Sequence, residues 1–145
     1  MKHDISDFLP YLLNQAAELA SKDFQPHYKD RYGMLRTEWR VLFHLGHYGG
    51  MTAKEICERA ALHKTKVSRA VAALEGKRFV TRKNVETDRR FELLSLTPRG
   101  RHAFTDLSGA AKRYDTALEG LLGADDFAAL KRLAHKLIDA KTDGS

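Results

Sequence analysis

The sequence predicts a mainly α-helical chain carrying one small β-hairpin. Apolar residues recur at three- and four-residue steps over most of its length, the period of an amphipathic helix. Around residues 79 to 96 that period gives way to alternation on either side of a polar stretch, Asn84 to Asp88, as in two paired strands. Just before the hairpin stand two short helical segments with a tight joint, the second more basic than the first, which is the helix-turn-helix pattern.

Residues 5 to 31 form the first helix, with Ile5, Phe8, Leu9, Leu12, Leu13, Ala16, Leu19, Ala20 and Phe24 on one apolar stripe. Pro10 marks its first turn or a kink, and Gly33 stops it. Thr37 is the candidate cap of the next helix, which carries Trp39, Val41, Leu42, Phe43 and Leu45 and ends at Gly49-Gly50. Thr52-Ala53-Lys54-Glu55 is a capping box: the Thr hydroxyl takes the amide three residues on, and the Glu carboxylate reaches back to the cap's amide. The short helix it opens runs to about Arg59, and a second spans about Lys64 to Gly76. Phe79 to Arg82 and Phe91 to Leu96 are the two strands, with Arg89 and Arg90 at or near the hairpin tip. Thr97-Pro98 starts another helix, Thr as cap and Pro at the first position, where a missing amide costs nothing. Phe104, Leu107, Ala111, Tyr114, Leu118 and Leu121 keep heptad spacing, a narrow seam suited to a partner helix. Gly123 breaks it, and a last helix carries Phe127, Leu130, Ala134 and Leu137 on one face.

A chain of 145 residues fits one domain, and with 43% hydrophobic residues it can build a real core. No apolar run is long enough for a membrane span, the acidic residues Asp4, Asp7 and Glu18 argue against a secretory signal, and the lone Cys57 suits a reducing compartment. The expected location is the cytoplasm. Charge is unevenly placed. Residues 63 to 102 hold eleven Lys or Arg against four acids, a local +7, so the net +6 of the whole chain leaves −1 for everything else. A basic block on a neutral frame is the footprint of a polyanion binder. The sequence has no phosphate-binding glycine loop, zinc-protease motif or supported nucleophile–His grouping, so it is not expected to be an enzyme, and no cofactor or metal is expected.

"LHKTKVSRAVAALE", residues 62–75, and "DRRFELLSLTPRG", residues 88–100, bring these elements together. The first is similar to the recognition helix of the MarR family of bacterial transcription regulators, the second to that family's wing and the start of its next helix. The resemblance implies a winged helix-turn-helix with N- and C-terminal dimerisation helices: one MarR-like domain over 1–145, with a DNA-binding core at 35–101 and dimerisation helices at 1–34 and 102–145. The family usually has glycine in the turn between the two short helices and before the first wing strand. Here Ala61 and Arg78 stand there, with a glycine displaced to Gly76. Either Arg78 adopts a conformation glycine takes more cheaply, or the helix ends differently. His63 stands where a Ser or Asp cap is common and is expected to cap poorly.

On this reading the DNA-contacting residues are His63, Lys64, Thr65, Lys66, Ser68 and Arg69 on the second short helix and Asp88, Arg89 and Arg90 on the wing. Val67, Ala70, Val71 and Leu74 turn inward. Arg69 is the candidate guanine reader, and Lys64 and Lys66 are phosphate contacts. Two guanidiniums at a hairpin tip suit a narrow minor groove. The resemblance implies that Asp88 pairs with one arginine and that Arg90 is the one that inserts. Two copies would read a pseudo-palindromic operator as a homodimer. Family members are often repressors released by small aromatic or phenolic ligands, and Trp39, Arg40 and His44 form the candidate ligand site, walled by Tyr11, Tyr28 and Tyr32. The competing readings are a winged-helix module for protein partners, a redox sensor using Cys57, or a metal sensor built on His44 and His47.

Overall fold

The structure, a computed structural model, describes residues 4–85 and 88–143, with side chains described except at 85, 88–90 and 143. A short 3-10 turn at Ile5–Asp7 leads into α1 (Leu9–Tyr32), followed by α2 (Arg36–Tyr48), α3 (Ala53–Ala60), α4 (Lys64–Gly76), β1 (Val80–Val85), β2 (Asp88–Leu96), α5 (Pro98–Leu122) and α6 (Ala124–Asp143). The chain divides into two compact units, Met1–Ser108 and Gly109–Ser145.

In the first unit Pro10 sits in the first turn of α1, and the helix runs on through a second proline, Pro26. The Lys22 carbonyl therefore lacks its usual amide partner. Gly33, at φ 66°, ends α1 with its amide on the Lys29 carbonyl at 2.9 Å, an αL-type close, and the following amide, Met34, bonds back to the Tyr28 carbonyl at 3.0 Å. This turn buries Met34 completely and delivers the chain straight into α2. Hence α2 starts at Arg36 with Leu35 as an uncapped N-cap. Thr37 lies inside the first turn rather than capping it, because the buried Met34 fixes the approach of the chain.

The core is built from α2, α3 and α4. Val41, Leu42, Leu45, Ile56, Val67, Val71 and Leu74 are all essentially inaccessible to water. Each such side chain contributes about 1.5–3 kcal/mol by leaving water. The Thr52–Glu55 capping box forms in full, with Glu55 N–H donating to Thr52 Oγ1 and Thr52 N–H to Glu55 Oε1, both at 3.2 Å. The joint after α3 turns on Ala61 at φ 52°, and the joint after α4 turns on Arg78 at φ 65°. Both residues occupy the left-handed region, which is costly for a side chain with a Cβ.

β1 and β2 pair antiparallel, Val80 opposite Leu96 and Arg82 opposite Leu94, with a register shift at Asn84/Val85. Both strands extend further toward the tip than the alternation alone suggested. Met51, in the link between α2 and α3, adds an isolated bridge to Leu94 through bonds of 3.0 and 2.9 Å. It anchors the base of the hairpin to the helical core. Thr97 caps α5, its Oγ1 accepting from Gly100 N–H at 3.0 Å. Gly100 permits the close approach behind this motif: a Cβ there would fall on the Phe79 carbonyl oxygen. On α5 of this unit Ala103 and Leu107 are fully buried, Leu107 belonging also to the heptad seam read from the sequence.

The second unit holds the end of α5 and α6, separated by Gly123 at φ 92°. Lys131 Nζ reaches Asp115 at 2.6 Å and lies over the Phe127 ring. Leu121, Leu130, Leu133, Leu137 and Ile138 stand exposed here, as do Ile5, Phe8, Leu9, Leu12, Leu13 and Leu19 in the first unit. Among the described residues, no helix is long and apolar enough to cross a membrane.

Candidate nucleic-acid interface

α4 is two-sided. Val67, Ala70, Val71 and Leu74 are buried against α2 and α3, while His63, Lys64, Thr65, Lys66, Ser68 and Arg69 are all exposed. The sequence places the exposed set because four inward positions at three- and four-residue steps leave the opposite side to water. Ala72, which carries no charge or motif to mark it in the sequence, is exposed on the same outer side. His63 does cap the helix, contrary to expectation: its Nδ1 accepts from the Thr65 amide at 3.2 Å. An imidazole can replace a Ser or Asp oxygen here because the extended His63 backbone, φ −69° and ψ 145°, aims the ring nitrogen at the first turn.

The basic block splits into two populations. Among the described residues, Lys64, Lys66, Arg69 and Lys83 are exposed and have no hydrogen-bond or ion-pair partner within the chain. Four others are engaged. Lys77 Nζ contacts Glu38 Oε1 at 2.5 Å and the Gly33 carbonyl at 2.6 Å, and Glu38 is only 3% exposed. Arg82 bonds Glu75 through Nε at 2.7 Å and Glu92 through Nη1 at 3.0 Å, and these hydrogen bonds raise its pKa. Arg99 lies over the Phe79 ring at 4.8 Å. Arg101 donates to the Gly46 carbonyl at 3.1 Å. A groove of about 250 Å³ between α2 and α4 has Lys66 and Arg69 on its rim above Ala70 and Ala73. Asp88, Arg89 and Arg90 open β2 in the backbone, but their side chains lie outside the described residues.

Trp39, Arg40 and His44 share α2, yet each is already occupied. The Trp39 ring stacks on Tyr28, centroids 6.3 Å apart and planes 12° from parallel, and it also meets Phe24 at 5.7 Å. Arg40 Nη2 donates to the Ala60 carbonyl at 2.7 Å, fastening α2 to the end of α3, and burial lowers its pKa. His44 Nδ1 lies 2.7 Å from the Arg40 carbonyl. Of the expected walls, Tyr28 is buried, and burial raises its pKa. Tyr32 instead donates to Asp106 at 2.5 Å, and the exposed Tyr11 accepts from Gln15 at 3.2 Å. A groove of about 330 Å³ along α1 and the start of α2 is lined by Tyr28, Lys22, Gln25 and Arg36, with Arg36 paired to Glu18 at 2.7 Å. Cys57 is partly buried on α3. Among the described residues, no three His, Cys, Asp or Glu side chains gather as metal ligands.

Residues 32–90 match the model of the MarR family. The chain is similar to the uncharacterized HTH-type transcriptional regulator YwaE of Bacillus subtilis (strain 168), 28% identical over 109 residues that cover 74% of this chain and 63% of that protein. It thus spans less than two thirds of that relative's length. Among solved structures it resembles the MarR family transcriptional regulator SPO1453 from Silicibacter pomeroyi DSS-3, 28% identical, TM-score 0.82, covering 96% of this chain and 98% of that one. The transcriptional repressor CouR, bound to a 23-mer DNA duplex, is 25% identical with TM-score 0.82 over 95% of this chain and 99% of that one. Bordetella bronchiseptica BpsR, whose DNA binding is regulated by 6-hydroxynicotinic acid, shares the fold at 22% identity and TM-score 0.84 over 97% of this chain and 99% of that one. By its helix-turn-helix, its hairpin wing and these likenesses, the chain resembles the MarR family of winged helix-turn-helix transcriptional regulators, whose model matches its residues 32–90.

Proposed function

We propose that the chain is a homodimeric repressor that binds a pseudo-palindromic operator in double-stranded DNA and is released by a small aromatic or phenolic ligand. The observation that carries this reading is the outer side of α4, where Thr65, Lys66, Ser68 and Arg69 are exposed, without side-chain partners among the described residues, and held by a buried inner side. Rigid display of cations is what a major-groove reader requires. Arg69 reads a guanine edge, Lys64 and Lys66 hold phosphates, and His63, Thr65 and Ser68 complete the contact. Asp88, Arg89 and Arg90 take the wing into the adjacent minor groove. The exposed apolar residues of α1, and separately those of α6, are candidate contacts for a second copy, and the complex of the similar CouR with a duplex supports the DNA partner. For the ligand, the aromatic wall of Trp39 and Tyr28 suits an aryl ring, as does the precedent of BpsR. Arg40 and His44 stand one turn apart beside that wall. Selecting duplexes from a random pool and measuring their affinity tests the reading. A palindromic site should emerge, and Arg69→Ala should cost about 1–3 kcal/mol and relax discrimination at one base pair. Failure to enrich any duplex at low salt would instead favour a winged-helix module for protein partners.

A further inference from the structure

We infer that Arg82 is a positioning residue for duplex binding: it latches the wing to the recognition helix and contacts no phosphate itself. The inference rests on the DNA-binding reading above, but its observation is separate. Side chains alternate across a strand, so the neighbours Arg82 and Lys83 point to opposite faces of the hairpin. Arg82 shares its face with Leu94, its pairing partner, which is 1% exposed and bonded to Met51 of the helical core. Lys83 looks outward and is exposed. Arg82 Nε meets Glu75, in the last turn of α4, and Nη1 meets Glu92, the diagonal neighbour on β2. One guanidinium therefore joins the recognition helix to both strands of the wing. With Nε and Nη1 committed to two carboxylates, the guanidinium charge is already offset, which leaves little net charge at Arg82 to neutralise a phosphate. Along the chain, α4 and β1 are joined by three residues, one of which, Arg78, turns on a left-handed backbone; the Met51–Leu94 bridge and the Phe79 amide on the Leu74 carbonyl hold the hairpin base, and Arg82 adds the side-chain tie further out. The latch therefore fixes the angle at which the hairpin leaves the helix, and with it the spacing between major-groove and minor-groove contacts. Its three side chains are 35–45% exposed, so removing it leaves the global fold standing and shows itself in binding.

The test uses the full chain and a duplex selected from a random pool, with a scrambled duplex as reference. Arg82→Ala should reduce the preference for the selected duplex about tenfold, with the slope of log affinity against log salt unchanged. The double variant Glu75→Gln/Glu92→Gln should reduce the preference similarly, although it removes two negative charges near the DNA. In the free protein, both variants should speed amide exchange in the hairpin and leave α2 untouched. The inference is overturned if Arg82→Ala flattens the salt slope by about 0.9, the signature of one phosphate no longer neutralised. It is equally overturned if the double variant keeps or gains preference, or if hairpin exchange does not change. Should the wild-type chain show no duplex preference, the DNA-binding reading fails, and the exchange comparison still decides the latch.

Discussion

Lys66 and Arg69 on the outer side of α4 and Lys77 and Arg82 just past its inner end carry the same charge and belong to the same basic block, yet they do opposite things. The first pair faces solvent without an intrachain partner among the described residues. The second pair is consumed: Lys77 neutralises the buried Glu38, and Arg82 bridges Glu75 and Glu92. A local excess of positive charge in a sequence is therefore an upper bound on the charge offered to a polyanion. Part of it holds together the scaffold that displays the rest.

The comparison can be broken most forcefully at Lys77. Lys77→Met keeps the stem and removes the ammonium, stranding the Glu38 carboxylate, whose side chain is 4% exposed. Breaking a fully buried pair costs roughly 3–5 kcal/mol. The Lys77 side chain is 35% exposed, so a loss of about 2–3 kcal/mol in denaturant unfolding is expected. An unchanged midpoint would place Lys77 with the outward-facing cations. A smaller effect sharpens the contrast at Arg78, a cation whose backbone rather than its side chain is the constrained part. Arg78→Gly relieves the φ of 65°, and after the glycine entropy cost it should raise stability by about 0.5–1 kcal/mol in thermal or denaturant melts. A loss of stability would mean that the Arg78 side chain contributes more than its backbone costs.

The helix-turn-helix was legible because its signals are local. The inward positions Val67, Ala70, Val71 and Leu74 fix the exposed side of α4 by period alone, and the Thr52–Glu55 box closes within one turn. The departures Ala61 and Arg78 were visible too, and the backbone takes the left-handed turns at both. What the sequence could not deliver depends on distant partners. Lys77 meets Glu38 across 39 positions, and Arg40 meets the Ala60 carbonyl across 20. Composition only counts the first within the basic block, and the family resemblance makes the second a candidate ligand residue. Met51–Leu94 pairing and the proximity of Gly100 to Phe79 are likewise consequences of packing. Phe104, on the heptad seam read as suited to a partner helix, lies 6.4 Å from Phe43 within the chain.

The central claim, that the outer side of α4 meets a polyanion while the cations behind it serve the scaffold, is tested most directly by salt titration of duplex affinity for the wild-type chain, Lys66→Ala and Lys77→Met. Lys66→Ala should flatten the slope of log affinity against log salt by about 0.9, because one fewer phosphate is neutralised. Lys77→Met should keep the wild-type slope at temperatures where it remains folded. Equal slopes for all three proteins, or a flattening confined to Lys77→Met, would contradict the account.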